Sequence, residues 1–229
     1  MNQSSASNSS KHILALPKGR IFEEILPLLS STGLAPNPCE KSDSSLSRAL
    51  RIPSFRSDVD IVRVRSFDVP AFISCGAAVF GVVGSDVLKE RNFPNVYAPL
   101  NLRIGKCRLS VAGMPCAVTN EEILRRGYIK IATKYPTLTK TYFHNLGIRA
   151  ECIKLQGAME LAPLLGMCDR IVDLVSTGQT LLQNGLIEKE KIMDVSSYFA
   201  VNRLFYQMHT KEALDMIHMI EEARNNANF

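Results

Sequence analysis

The chain has 229 residues, enough for one large domain or two small ones. Its hydrophobic fraction of 46% and charged fraction of 21% are ordinary for a globular protein. The net charge of +5 is modest and spread along the chain, unlike a nucleic-acid-binding tail. This charge suits small polyanionic ligands at least as well as DNA.

The cysteines and the first residues predict the cellular environment. The six cysteines form no C-x-x-C pair and have no nearby His at metal spacing, so we expect buried free thiols in a reducing compartment. Residues 1–10, MNQSSASNSS, are polar and lack the apolar core of a signal peptide. No apolar run approaches the ~20 residues that cross a bilayer. We therefore expect a disordered tail over residues 1–11 and a cytoplasmic protein.

The first half of the chain predicts alternating strands and helices. HILALP is a short strand, and after the Lys18-Gly19-Arg20 turn RIFEEILPLLSSTGL forms an amphipathic helix that Pro27 bends or divides. The composition of 37–47 indicates a mobile loop. LRIPSF and DIVRVR then flank the turn at Arg56–Asp58, Asp68 caps a helix, and AVFGVV is a buried parallel strand before the short helix DVLKER.

The second half repeats this alternation after a connection that contains proline. The predicted elements are LRIGKCRLSVAG (a strand pair or one long strand), a helix over 120–127, the strand YIKIATKYP, the helix TLTKTYFHNLG and the strand IRAECIKL. Near the end, IMDVSSYFAVNRLF looks strand-like and KEALDMIHMIEEARNN is an amphipathic helix. The alternation predicts an α/β fold with two mixed or mostly parallel lobes. We expect residues 12–101 and 194–229 in lobe 1 and residues 102–193 in lobe 2, with a ligand-binding cleft between the lobes.

The stretch LQGAMELAPLLGMCDRIVDLVSTGQTLLQNGL (155–186) predicts a phosphate site. A buried strand over Ile171–Val175 ends in the turn Ser176-Thr177-Gly178, and a helix opens near Thr180. Unpaired backbone N–H groups and hydroxyls at such a turn suit a phosphate monoester. Asp173 interrupts the apolar strand, and a buried carboxylate is costly unless it meets donors such as sugar hydroxyls. Alternatively, the turn only caps the helix that follows it, and Asp173 is a buried acid with a purely structural role.

Five separated segments together resemble one family. LALPKGR, VRVRSFDVPAFISCGAA, CRLSVA, IKIATKYPTLTKTYF and the 155–186 stretch occur in the order typical of ATP phosphoribosyltransferases, which open histidine biosynthesis. The resemblance implies a reaction that joins N1 of the adenine of ATP to C1 of the ribose of phosphoribosyl pyrophosphate (PRPP), with Mg²⁺ present and pyrophosphate released. It also implies two lobes like those of type II periplasmic binding proteins. The chain resembles the short form, which implies a homodimer of catalytic chains in a hetero-oligomer with a regulatory subunit similar to histidyl-tRNA synthetase.

The resemblance assigns roles to individual residues. Ser176, Thr177, Gly178, Gln179 and Thr180 match the segment that holds the 5-phosphate of PRPP. Asp173 and Glu160 match acidic positions near the ribose hydroxyls, although Glu160 also suits an ordinary first-turn acid. The predicted ATP-binding residues are Lys18, Gly19, Arg20, Arg65 and Lys134, and the predicted catalytic cations around pyrophosphate are Lys18, Arg20 and Arg56. We expect Mg²⁺ to bind mainly through substrate phosphates.

Several of these assignments have alternatives. Lys18–Arg20 also suits a solvated loop, and Lys134 suits a surface turn as well as a polyphosphate contact. Three positions depart from the family pattern: Val79 where an acid is usual, Ser85 where Lys is common and Gln179 where Arg is common. A conventional phosphoribosyltransferase would have two adjacent acids before its T-G-x-T loop, whereas Leu174 follows Asp173 here. The alternative from another class is a non-catalytic ligand-binding or effector domain of periplasmic-binding-protein fold.

Overall fold

The structure is a computed structural model that describes residues 11–37, 50–116 and 118–227. The predicted disordered tail and the predicted mobile loop lie outside the described residues, apart from Lys11 and Asn37. Within the described ranges, no helix has both the length and the apolar character needed to cross a membrane.

Strands and helices alternate along most of the chain, as expected for an α/β fold. The strands are β1 His12–Pro17, β2 Arg51–Pro53, β3 Val59–Val64, β4 Phe80–Gly84, β5 Val96–Asn101, β6 Cys107–Gly113, β7 Tyr128–Thr133, β8 Arg149–Lys154, β9 Arg170–Val175, β10 Ile187–Val195 and β11 Ser197–Asn202. The helices are α1 Arg20–Ser31, α2 Val69–Ser74, α3 Ser85–Glu90, α4 Asn120–Arg126, α5 Pro136–Asn145, α6 Leu161–Leu164, α7 Gln179–Gln183, α8 Arg203–Met208 and α9 Thr210–Asn226.

The chain divides into two compact units. Unit 1 contains the described residues through Leu88, then Phe93–Gly105, and the described residues from Ser197 onward. Unit 2 contains Lys89–Asn92 and Lys106–Ser196. The sequence analysis predicted a second lobe over residues 102–193, and the main segment of unit 2 is Lys106–Ser196.

Unit 1 is built on a six-stranded sheet of order β2-β3-β1-β4-β11-β5. The strands β3, β1 and β4 are parallel, while β2, β11 and β5 join by antiparallel pairing. The helices α1 and α9 bury apolar stripes in the core of this unit, with Ile25 and Leu28 from α1 and Ile217 and Ile220 from α9. Helix α1 continues through Pro27, so this proline does not divide it.

Unit 2 is built on a five-stranded sheet of order β10-β6-β9-β7-β8. The strands β9, β7 and β8 are parallel, and β6 and β10 are antiparallel to their neighbours. Both sheets are therefore mixed.

The strand-like segment near the C-terminus is three elements. Strand β10 pairs with β6 in unit 2, and β11, which begins two residues after β10 ends, lies between β4 and β5 in unit 1. The last residues of the predicted strand form α8 instead. The side chain of Asn202 caps this helix by accepting a hydrogen bond from the Phe205 N–H at 2.9 Å.

Candidate functional site

The predicted sugar-phosphate residues meet around one cavity of unit 2. The cavity has a volume of about 170 Å³ and lies at the carboxyl end of β9. Its walls come from the residue before α6, from the end of β9 and from the turn that follows, namely Glu160, Asp173, Leu174, Val175, Ser176, Thr177, Gly178, Thr180 and Leu181. All the predicted PRPP-binding residues except Gln179 line it.

The turn after β9 presents hydroxyls and backbone to solvent. Ser176, Thr177 and Thr180 are exposed, and Thr177 Oγ1 accepts a hydrogen bond from the Gln179 N–H at 3.4 Å. Gly178 has a φ of 81°, in the left-handed region that favours glycine. Helix α7 has only five residues, so donors of the turn itself matter more than its dipole.

Two carboxylates face this cavity and influence each other. Asp173 is half-buried, and its Oδ1 accepts a hydrogen bond from the Leu174 N–H at 2.8 Å. Burial raises the pKa of Asp173 above its usual value, and the negative charge of Glu160 raises it further, while the Leu174 N–H and Lys134 oppose the shift. Glu160 precedes α6 without a side-chain capping bond to that helix. Its carboxylate is therefore not committed to capping α6.

Lys134 belongs to unit 2, where its charge influences Asp173. It follows β7, whose last residue Thr133 pairs with Val172 of β9, and its positive charge acts on Asp173. The structure thus groups Lys134 with the sugar-phosphate cavity, whereas the other predicted ATP-binding residues belong to unit 1.

A salt bridge behind the turn was missed from the sequence. Arg108 of β6 donates bidentate hydrogen bonds to Glu188 of β10 at 2.6 and 2.5 Å, and its Nη1 donates to the Ser176 carbonyl at 2.9 Å. The Ser110 hydroxyl also donates to Glu188, at 2.8 Å. These bonds raise the pKa of Arg108 and lower that of Glu188. The only sign of this salt bridge in the sequence is Arg108, a charged residue in the predicted strand CRLSVA. Its partner Glu188 lies 80 residues away along the chain.

The predicted phosphate-facing residues of unit 1 meet at the carboxyl ends of its parallel strands. Lys18 follows β1, and its N–H donates to the Val64 carbonyl at the end of β3 at 2.9 Å, which brings Arg65 beside it. Arg20 opens α1 and pairs with Glu24 at 3.2 Å. Gly19 has φ 84° and ψ −148°, a conformation nearly restricted to glycine. In open α/β sheets this edge is the usual ligand-binding edge.

Arg56 lies in unit 1 at the amino ends of the parallel strands, opposite the carboxyl ends that carry Lys18 and Arg65. The turn that carries it precedes β3, and β3 runs parallel to β1, so this turn is at the amino ends of both strands. The Arg56 guanidinium donates to Asp58 at 2.7 and 3.0 Å and to Met219 Sδ at 3.3 Å. The structure does not bring Arg56 together with Lys18 and Arg20 in unit 1, and this placement argues against the predicted catalytic role of Arg56.

The three departures from the family pattern occupy different places. Val79 precedes β4 at the amino edge of the unit 1 sheet, where it packs against the core. Its side chain is therefore remote from the edge that carries Lys18. Ser85 follows β4 at that carboxyl edge, and Gln179 is an exposed first residue of α7.

Comparison with known proteins decides the family. A family model described as ATP phosphoribosyltransferase (HisG) matches residues 65–222. The chain is 50% identical to an ATP phosphoribosyltransferase of Rhodospirillum rubrum, with 94% of each chain covered. It is 48% identical to that of Paramagnetospirillum magneticum, covering 95% of this chain and 98% of the relative. The chain belongs to the ATP phosphoribosyltransferase family. The predicted family and glycosyltransferase class are confirmed, and these enzymes carry out the first step of histidine biosynthesis.

Solved structures confirm the predicted fold class. The ATP phosphoribosyltransferase HisG:HisZ complex from Thermotoga maritima matches with a TM-score of 0.77 at 29% identity, covering 94% of this chain and 99% of that chain. The periplasmic aliphatic sulphonate binding protein SsuA from Escherichia coli matches with a TM-score of 0.57 at 11% identity, covering 93% of this chain and 68% of that one. The second likeness concerns the fold alone.

Proposed function

We propose that the cavity at the end of β9 binds the 5-phosphoribosyl group of PRPP, and that the chain transfers this group to N1 of the adenine of ATP. The observation that carries the proposal is the convergence of Glu160, Asp173 and the Ser176–Thr180 segment at one cavity. The turn offers N–H and hydroxyl donors to the 5-phosphate. In this proposal the two carboxylates accept hydrogen bonds from ribose hydroxyls.

The same geometry suits the chemistry of an anomeric carbon. Displacement there proceeds through an oxocarbenium-like transition state, in which the ribose becomes cationic and the leaving group gains negative charge. Carboxylates such as Asp173 and Glu160 favour the cationic ribose. Since adenine N1 already has a lone pair, no nucleophilic side chain is needed, and positioning dominates catalysis.

The positive side chains divide into two groups. In unit 2, we propose Lys134 as a contact of PRPP phosphates rather than of ATP, since its charge acts on Asp173. In unit 1, Lys18, Arg20 and Arg65 are the proposed contacts of the ATP phosphates and the leaving pyrophosphate, with the Gly19 backbone free to approach a phosphate closely.

Mg²⁺ is compatible with this donor set. Within 11–37, 50–116 and 118–227, no group of three or more His, Cys, Asp or Glu residues could hold a metal ion. Mg²⁺ commonly binds through one or two carboxylates together with substrate phosphates and water. Asp173 and Glu160 can supply those carboxylates, and the bound ion would neutralise phosphate charge.

A regulatory partner is part of the proposal. The solved relative from Thermotoga maritima is a HisG:HisZ complex. We propose that this chain likewise works with a HisZ-type subunit, as a homodimer within a hetero-oligomer. The cytoplasmic location expected from the sequence stays a prediction.

The test of this function is a direct assay. The full chain is mixed with ATP, PRPP and Mg²⁺, with and without a HisZ-type subunit, and pyrophosphate and N1-ribosylated ATP are measured. We expect both products in equal amounts. PRPP binding without either product, in both arms, would favour the non-catalytic ligand-binding domain instead.

A further inference from the structure

A second cavity of unit 2 lies at the opposite end of β9 from the phosphate-binding turn. Its volume is about 210 Å³, and its apolar walls come from α4, α5 and the residue before β8. Arg170, the first residue of β9, and Glu190 of β10 complete the lining. A strand rises ~3.3 Å per residue, so the six residues of β9 separate this cavity from the turn by roughly 17 Å.

Arg170 is buried in this cavity with donor capacity to spare. Its side chain is only 4% exposed. One terminal nitrogen, Nη2, donates to two neutral acceptors, the Val118 carbonyl at 3.2 Å and Asn120 Oδ1 at 2.6 Å. Among the residues that the structure describes, the Nε–H has no acceptor. A buried donor without a partner is costly, and since this nitrogen exposes less than 1 Å² of surface, an added acceptor has to reach the guanidinium through a terminal nitrogen.

The nearby carboxylate does not complete the pairing. Glu190 lies 3.9 Å from Arg170 Nη1, beyond hydrogen-bond distance. Its two oxygens are engaged elsewhere, because Oε2 accepts from the Tyr142 hydroxyl at 2.6 Å and Oε1 from Asn120 Nδ2 at 3.2 Å. The guanidinium therefore has only a long ion pair with Glu190, and the acceptors that it hydrogen-bonds are neutral. Such a group binds an anionic oxygen better than a neutral one.

The apolar walls of the cavity indicate what the uncharged part of a ligand would be. Ile123, Phe143 and Ile148 are buried, while Leu124 and Leu146 are 59% and 46% exposed and form the open side. Small-molecule sites typically combine apolar walls with a few polar groups that fix orientation. For scale, an apolar cavity of ~150 Å³ holds a benzene ring.

We propose that this cavity, lined by Arg170 and the apolar faces of α4 and α5, is a binding site for a small carboxylate with a body of one ring or of similar size. The carboxylate pairs with Arg170, and the body fills the space between Ile123, Phe143 and Ile148. The site is separate from the sugar-phosphate cavity and does not depend on the proposed reaction.

The test is a titration of the full chain, labelled with ¹⁵N, with benzoate and with phenylacetate, using benzyl alcohol as the neutral probe. We expect saturable shifts of the Arg170 Nε–H and of α4 amides, with benzoate at least about tenfold tighter than benzyl alcohol. Saturating PRPP should leave these shifts unchanged. No saturable shift at millimolar benzoate, equal binding of the alcohol, or displacement by PRPP would overturn the proposal.

Substitutions at residues that line the cavity test whether benzoate binds there. Leu124→Trp and Leu146→Trp fill the open side from exposed positions, so we expect folded proteins that no longer bind benzoate. Leu204→Trp, at a residue of α8 that is 61% exposed, is the matched control and should bind as the wild type does. Arg170→Met should lose the preference for the carboxylate. If Arg170→Met does not fold, the two tryptophan variants decide, and unchanged binding in both would overturn the assignment.

Discussion

Asp173 and Glu160 line the same cavity, and the charge of Glu160 contributes to the raised pKa of Asp173. Two carboxylates that line one cavity repel each other, so this arrangement costs stability. A cationic ribose in the transition state would relieve that repulsion. The cost in the free protein is therefore consistent with a catalytic rather than a structural role.

Asp173→Asn should lower kcat by about 100-fold, because it removes a charge that stabilises the cationic ribose while it keeps the shape of the side chain. PRPP binding should change much less. Steady-state rates and PRPP titrations measure the two effects. Asp215→Asn, which changes an exposed acid of α9, is the control and should keep full activity. Full activity in Asp173→Asn would mean that the acid is structural.

The same substitution should change how stability depends on pH. Because the pKa of Asp173 is raised in the folded state, the folded protein binds more protons than the unfolded chain between the ordinary aspartate pKa and the raised value. The stability of the wild type should fall relative to Asp173→Asn as pH rises through that window. Urea unfolding of both proteins from pH 3 to pH 7 measures the difference. A difference that does not vary with pH would contradict the raised pKa.

Arg108→Met should raise the KM for PRPP, because it frees the Ser176 carbonyl and leaves Glu188 without its bidentate partner. A turn displaced by ~1 Å can cost up to roughly 100-fold in rate. Kinetics at varied PRPP and fixed ATP measure the effect. Arg125→Met, at an exposed arginine of α4, is the matched control. An unchanged KM for PRPP in Arg108→Met would show that the salt bridge does not position the turn.

Gly19→Ala should raise the KM for ATP by roughly tenfold, the equivalent of ~1.4 kcal/mol, because alanine is strained at this positive φ. The KM for PRPP should stay near the wild-type value. Gly157→Ala is the backbone control, since a Cβ there meets nothing within 4 Å and its φ is not in the left-handed region. Equal effects of Gly19→Ala on both substrates would place the Lys18–Arg20 turn outside a dedicated ATP site.

Arg56→Met should leave kcat/KM within about twofold of the wild type and cost at most ~1 kcal/mol, because its ion pair with Asp58 is partly exposed. Arg65→Met should instead lower kcat/KM by about 100-fold. Parallel kinetics and thermal unfolding of the two variants make the comparison. A 100-fold loss in Arg56→Met would return that residue to the catalytic group.

Local chemistry made some features predictable from the sequence. The strand, turn and helix from Ile171 to Gln183 depend on neighbouring residues, so β9 and the hydroxyl-rich turn follow from composition and spacing. The alternation of strands and helices likewise predicted the α/β fold, because periodicity reports which face of each element is buried. Five ordered segments were enough to identify the family.

Only the tertiary structure decided which distant residues meet. Arg56 and Arg65 lie nine residues apart in sequence but at opposite edges of one sheet, because the strand β3 runs between them. The contact of Arg108 with Glu188 depends on the pairing of β10 with β6. The burial of Arg170 depends on the packing of α4, α5 and β10 against the first residue of β9. Strand order and direction set such contacts through long-range packing, which no short stretch of sequence encodes.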